Sequence, residues 1–490
     1  MLVSGLGPSL ADYVPFRASM SPLGTPDDPL RVAIVGSGPA GFYAAEHLLK
    51  PEEVAVEVDM FDRLPTPFGL VRAGVAPDHP KIKSVIRVYE KTAAREGFRF
   101  FGNVHVGSAV SVPELAERYH AVVYAYGTPT DRQLGIPGED LPGSHPATEF
   151  VAWYNAHPDF AESSFDLDCA RAVIIGNGNV AADVARMLAL PRAELEGTDT
   201  ADHAIERLAG SAIEEIVVLG RRGPAQAAFT NPEVRELGEL TDADIVIDAD
   251  DVELDEVSRE QLDSDEVEPT NKRNVEIFSE FAQREPEDKP KRLVMKFLRS
   301  PVEIQGDGKV ERLIAGVNEL YRDDDGAVRA RDTGKREVIE CGLVLRSIGY
   351  RGIGLGGTPF DERRGLIPNE GGRVIDPDAG GEQLPGHYAV GWIKRGPSGV
   401  IGTNKKDAGE TIENLFTDLE RGAVPERAPV DPPIEELVAD RCPDAISYAG
   451  WSAIDRAEVA AGEPHGRPRV KFCTVAEMID AARAGEPVGG

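Results

Sequence analysis

The feature that most limits how this chain can fold is a strand, a glycine-rich turn and a helix in direct succession, and it occurs twice. Residues 31–35 (RVAIV) read as a buried strand and run straight into Gly36-Ser37-Gly38-Pro39-Ala40-Gly41, after which residues 42–50 read as a helix. A second strand, residues 54–61 (VAVEVDMF), ends at Asp62, 26 residues after Gly36. This is a complete βαβ dinucleotide-binding unit. Its first glycine allows a tight turn, its second lets a pyrophosphate approach the backbone, and its third lets the helix pack close to the strand. A carboxylate at the end of the second strand hydrogen-bonds a ribose hydroxyl, so this turn suits FAD or NAD.

The second unit starts at residues 172–175 (AVII) and continues through Gly176-Asn177-Gly178-Asn179-Val180-Ala181 into a helix over residues 183–190. Ala181 replaces the third glycine, which the fingerprint permits. The next strand, residues 213–219, ends in Gly220-Arg221-Arg222, where the first unit has an acid. A carboxylate repels a 2′-phosphate, whereas guanidinium groups bind phosphate bidentately, so the second turn suits NADP. An acidic helical insertion, residues 190–210, separates the turn from the arginine pair.

Composition then removes alternatives. The 490 residues carry 53 Lys plus Arg against 84 Asp plus Glu, a net charge of −31, which takes away the usual basis for binding nucleic acid or an anionic membrane. Cys169, Cys341, Cys442 and Cys473 stand far apart, without the short spacing of metal sites or redox dithiols. Metal and disulfide chemistry are therefore not expected, and a reducing cytoplasm is. No apolar run is long enough to span a bilayer, and residues 1–29 read as a flexible tail rather than a signal peptide. The carboxylate-dense stretch 242–268 reads as solvated surface. Strand-like runs at 292–298 and 343–348 suggest a β-rich return toward the first domain.

Longer strings narrow the choice. Pro65-Thr66-Pro67-Phe68-Gly69-Leu70-Val71-Arg72 leads into Gly74-Val75-Ala76-Pro77-Asp78-His79-Pro80; Ala227-Ala228-Phe229-Thr230 follows the arginine pair; and Gly391 to Asn404 reads GWIKRGPSGVIGTN. With Ser347-Ile348-Gly349-Tyr350 and the tail Gly466-Arg467-Pro468-Arg469-Val470-Lys471, these strings resemble the adrenodoxin-reductase-type ferredoxin:NADP reductases from about Arg31 to about Lys471. The resemblance implies an α/β fold with two Rossmann-like domains. An NADP domain, residues 128–354, would interrupt an FAD domain formed by residues 30–127 and 355–490. It implies that Ala40, Asp62, Leu70 and Val106 line the FAD, and that Trp392 with Gly399, Val400 and Ile401 lies along its isoalloxazine. Asn177, Gly178, Asn179 and Val180 would hold the NADP pyrophosphate at a helix N-terminus. Arg221 and Arg222 would take the 2′-phosphate, and Glu233 would sit by the nicotinamide. His79 and Glu233 are the candidate catalytic residues. His79 is either a buried hydrogen-bonding residue or a tuner of flavin protonation, and Trp392 is either core or flavin-facing.

The implied reaction takes hydride from NADPH and passes electrons singly to a separate ferredoxin-type iron–sulfur protein, a conversion that FAD supports. An NADPH-dependent quinone or small-molecule reductase is the alternative, and a non-catalytic dinucleotide sensor is a third reading. For docking an acidic ferredoxin, the sequence offers one basic face. Residues 80–97 read as one helix with Ile82, Val85, Ile86, Tyr89 and Ala93 toward the core. Lys83, Arg87, Lys91 and Arg95 would form an exposed stripe, with Arg235 adding charge from the other domain.

Overall fold

The computed structural model describes residues 23–264, 267–399 and 401–485. Among these residues two large sheets dominate. The first has seven strands in the order Asn369–Glu370, Arg373–Asp376, Glu382–Ala389, Ala121–Tyr124, Leu30–Val35, Val56–Phe61, Phe98–Phe101. Its five strands from Glu382–Ala389 to Phe98–Phe101 run parallel, with Val32 in register with both Val58 and Ala121. Helices cover both faces of such a sheet, which is why residues 32–35 (VAIV) read as a continuous apolar run rather than an alternating one.

The second sheet is all parallel, in the order Ser144–Pro146, Leu343–Arg346, Arg171–Ile175, Glu215–Leu219, Lys291–Lys296, Ala243–Ile247. A three-stranded antiparallel sheet, Arg299–Gln305, Arg312–Arg322 and Val328–Glu340, lies on one face of it, with Ile304, Leu313 and Ala315 packed against Val173, Val217 and Leu219. The first sheet thus draws strands from both ends of the chain and the second from the middle. The fold is α/β with two Rossmann-like units, one interrupting the other, as the sequence led us to expect. Where the chain crosses between them, Thr130–Asp131 pairs antiparallel with Tyr350–Arg351.

Four local expectations change. Residues 23–29, assigned to the flexible tail, form a turn in which Gly24 N donates to Asp28 O at 2.8 Å, and Leu23 packs on the first core; residues 1–22 lie outside the described residues. The strand read at 292–298 is Lys291–Lys296, because Leu298 takes a left-handed φ of 55°. Leu343–Arg346 belongs to the second sheet rather than to a return toward the first. The helix read over 80–97 is two pieces, Pro80–Lys83 and Ile86–Ala93, and Ile82 is 41% exposed instead of facing the core.

Candidate functional site

The first glycine turn is closed on two sides and open on the third. Gly36 sits at φ 104°, and a Cβ there would lie 2.7 Å from the carbonyl oxygen of Ala125. A Cβ on Gly41 would lie 2.2 Å from the carbonyl oxygen of Gly36, so the helix Pro39–Leu48 can approach its strand only without a side chain at this position. A Cβ on Gly38 would meet no atom within 4 Å. That open face is a cradle of the kind a pyrophosphate needs. Asp62 braces the turn: its Oδ2 accepts from Ser37 N at 2.9 Å and from Ser37 Oγ at 2.5 Å, and its Oδ1 accepts from Leu64 N at 2.9 Å. A carboxylate accepts about four hydrogen bonds, so capacity remains for a ribose hydroxyl.

Residues distant in sequence converge on this turn. A Cβ on Gly391 would lie 2.5 Å from the Ala40 Cβ, which brings the Gly391-Trp392 turn against the start of the first helix. The Trp392 ring lies 5.0 Å from that of Tyr350, and its Nε1 is buried without a hydrogen-bond partner, as are Tyr154 Oη and Thr128 Oγ1. Buried polar atoms are normally paired, so the orphaned Trp392 nitrogen beside the first turn fits a polar ligand there. Leu70 is 41% exposed, Val106 packs with Phe61 in the core, and Ile401 packs on the core of the first sheet. Gly399 is exposed at φ 79°, while Val400 lies outside the described residues.

In the second turn Gly176 has φ 141°, and a Cβ there would lie 2.1 Å from Ser347 O. Gly178 is open, its nearest neighbour being the Ala228 Cβ at 4.0 Å. Asn177, Asn179 and Val180 are half-buried at the start of the helix Asn179–Ala189. Backbone N–H groups at such a helix start are free to bind an anion. The turn is braced from the segment after the arginine pair: Ala228 N donates to Asn177 O, and Thr230 N to Asn179 Oδ1, both at 2.9 Å. Among the described residues no carboxylate pairs with Arg221 or Arg222. Burial, together with the positive charges of Arg221 and Arg329, lowers the Arg222 pKa from its ordinary value. A concentration of unneutralised guanidinium in a chain of charge −31 is a site for an anion.

His79 and Glu233 are brought together by a residue that sequence reasoning missed. Arg186, 3% exposed, donates to Asp78 Oδ2 at 2.8 Å, to Asp183 Oδ1 at 2.8 Å and to Glu233 Oε2 at 2.9 Å. His79 Nε2 lies 2.8 Å from Glu236 Oε2, and its Nδ1 lies 3.8 Å from both Asp183 and Glu233. Burial pushes the Asp183 carboxyl up to about 6 against the pull of Arg186, and burial likewise raises Glu233. Asp78 moves the other way, because the Arg186 hydrogen bond and charge together outweigh its burial. Asp183 and Arg186 stand three apart on one helix, a spacing that any surface pair shares. No sequence signal singles them out.

The proposed basic docking face does not form as expected. Lys83 is 12% exposed and turns inward, with its Nζ 2.7 and 2.9 Å from the two carboxylate oxygens of Asp199. Arg87, Lys91 and Arg95 remain exposed, Arg95 donating to Leu49 O at 2.9 Å, and Arg235 is exposed on the helix Asn231–Leu237.

A family model for pyridine nucleotide–disulphide oxidoreductases matches residues 30–218. The NADPH-ferredoxin reductase FprA of Mycobacterium tuberculosis is 52% identical over 460 residues, covering 92% of this chain and 98% of that protein. The mitochondrial NADPH:adrenodoxin oxidoreductase of Arabidopsis thaliana is 40% identical over 465 residues, covering 93% and 95%. The solved structure of M. tuberculosis FprA in complex with NADPH superposes with a TM-score of 0.87 at 50% identity, covering 93% of this chain and all of that one. The chain belongs to the adrenodoxin-reductase-type ferredoxin:NADP reductases, a family built on two dinucleotide-binding units.

Proposed function

We propose that the protein passes electrons from NADPH through bound FAD to a separate ferredoxin-type iron–sulfur protein. The observation that carries this reading is the pairing of two glycine turns with opposite ends: one closed by a carboxylate, the other facing Arg221-Arg222, which have no carboxylate partner among the described residues. The residues present fit both groups, because Gly38 and Gly178 each face open space and the Trp392 indole nitrogen is buried without a partner. We assign FAD to the unit formed by residues 30–127 and 355–490, and NADP(H) to residues 128–354. When bound, FAD supplies the change from two-electron to one-electron transfer.

The chain's own part is binding, orientation and proton placement. Gly36, Gly38 and Gly41, with Ala40, Asp62, Leu70 and Val106, hold the first dinucleotide. Asn177 to Val180 bind the pyrophosphate of the second, and Arg221 with Arg222 select its 2′-phosphate. Trp392, Gly399 and Ile401 cover the flavin edge. His79 is fixed at Nε2 by Glu236, which leaves Nδ1 toward Asp183 and Glu233. The Arg186 guanidinium, 3.4 Å from Nδ1 and 2.9 Å from Glu233 Oε2, makes that nitrogen an acceptor and orients His79 and Glu233 side by side.

Among the described residues no helix is long and apolar enough to cross a membrane. All four cysteines are unpaired, which suits a reducing cytoplasm. The test is direct. Purified protein should be yellow, with one FAD per chain, should bleach with NADPH, and should reduce cytochrome c only when ferredoxin is added. Equal turnover with quinones and no dependence on ferredoxin would establish the small-molecule reductase instead.

A further inference from the structure

Two stretches of the sequence are left without a role by this reading: the acidic insertion between the second glycine turn and its arginine pair, and the tail from Gly466 to Lys471. The structure joins them. Asp199, in the insertion, is 9% exposed and lies between two lysines, Lys83 from the first unit and Lys471 from the tail, whose Nζ is 3.1 Å from Asp199 Oδ2. Lys471 is 1% exposed and also donates to Arg72 O at 3.2 Å and Asn155 Oδ1 at 3.1 Å. Arg467 donates to Thr198 O at 3.1 Å and binds Thr200 O and Asp202.

The tail is held rigidly on its own side. Val470 N donates to Glu458 O at 2.9 Å and Phe472 N to Glu458 Oε1 at 3.0 Å, and a Cβ on Gly462 would lie 2.7 Å from the Arg469 Cα. Glu458 is itself fully buried and pairs with Arg72 and Arg469. On the other side, Lys83 N donates to His79 O, so the clasp begins one helical turn from the candidate catalytic histidine.

We propose that Asp199, Lys83, Lys471 and Arg467 form a clasp that sets how the NADP unit sits against the FAD unit, which makes them positioning residues for electron transfer. Burying two ammonium groups around one carboxylate is a poor way to gain stability, since apolar residues of similar volume usually serve at least as well. Its distinctive property is geometry: each charge must find its partner, and only one seating of the two units satisfies all of them. The units also meet where the two crossings pair at Thr130–Asp131 and Tyr350–Arg351, where Tyr350 packs on Trp392, and where the exposed Arg63 pairs with Asp159 at 2.7 Å, but the clasp is the charged contact between them that involves the tail. Displacement of the nicotinamide by about 1 Å is enough to slow a reaction that depends on alignment.

The inference rests on the proposed electron path. The test compares the wild-type FAD protein with the apolar triple variant Lys83→Met/Asp199→Leu/Lys471→Met, which removes the charges without leaving one unpaired. Hydrogen exchange of residues 192–209, measured without nucleotide, should rise at least tenfold. The rate of flavin reduction at saturating NADPH should fall at least tenfold, with the NADP+ dissociation constant within about twofold of wild type, since the pyrophosphate turn and Arg221-Arg222 are untouched. Asp199→Glu should recover part of the rate. Should the triple variant not fold, Lys471→Met, which keeps the Asp199–Lys83 pair, should show the same pattern at about threefold. Unchanged exchange, an unchanged reduction rate, or a rate loss matched by weaker NADP+ binding would each overturn the clasp. Failure of wild-type protein to bleach with NADPH would instead defeat the proposed function, and the exchange measurement still reads the clasp in that case.

Discussion

The two glycine turns are made to the same plan and are stabilised in different ways. The first is braced by a charge: Asp62 at the end of the neighbouring strand accepts from Ser37 N and Ser37 Oγ. The second is braced by main chain, through Ala228 N and the Thr230 N bond to Asn179 Oδ1, while among the described residues no carboxylate touches Arg221 or Arg222 at the corresponding strand end. A turn held by an anion presents a surface for hydroxyl groups. One that leaves cations unpaired presents a surface for phosphate. On the proposed function, the comparison teaches that nucleotide choice lies at the strand ends, with the bracing of each turn arranged around it.

Gly36→Val should break the first turn outright. Its Cβ would strike Ala125 O at 2.7 Å in a left-handed conformation that a β-branched residue does not tolerate, and purified protein should be colourless. Full FAD occupancy in that variant would remove the basis for the first site. Neutralising Arg221 and Arg222 together leaves the fold alone but takes away two charged hydrogen-bonding groups, each contributing roughly 1.5–3 kcal/mol. NADPH efficiency should fall by about 10² to 10⁴ with NADH use little changed, as read from the ratio of the two kcat/KM values.

The third positions sharpen the comparison. Gly41→Ala places a methyl 2.2 Å from Gly36 O, and such overpacking should destabilise by about 1–3 kcal/mol and loosen FAD, measured by Tm and flavin release. Ala181, at the same place in the second turn, is already accommodated and fully buried. Ala181→Gly should therefore cost only the helix penalty of glycine plus a small cavity, about 1 kcal/mol, the smallest of these effects. Equal losses in the two variants would mean that the turns do not differ in how closely helix and strand approach.

Between these in size lies a pH effect peculiar to the second helix. Asp183 occupies the place that Tyr43 takes in the first, and it faces Arg186 on its own helix, His79, Glu233, and the rings of Tyr154 and Tyr350. Its folded pKa of about 6 exceeds the ordinary 3.8 of an aspartate, so its contribution is fully present below about pH 4 and is lost as pH rises through 6. The Tm of Asp183→Asn relative to wild type should accordingly improve by a few degrees between pH 4 and pH 7. A difference that is flat with pH would place the proton elsewhere in the His79–Arg186 cluster.

The sequence by itself determined the two nucleotide units. Each βαβ turn is encoded locally, the first within residues 31–62 and the second within residues 172–222, by glycines whose need is steric and by buried strand runs, so Gly36, Gly38, Gly41, Asp62, Gly176 and the Arg221-Arg222 pair were all legible as candidates before any contact was known. Only the tertiary structure decided what the charges around them do. Lys83 read as one step of a solvated basic stripe, because Asp199, 116 residues away, gives no local sign that it will bury that ammonium. Arg186 gave no sign either, since its partners Asp78 and Glu233 come from opposite sides of it in the chain. Periodicity reports whether a position faces apolar surroundings, but a buried ion pair has the same sequence signature as an exposed one. Telling them apart requires the distance between elements, and that distance is fixed by how the two units are seated.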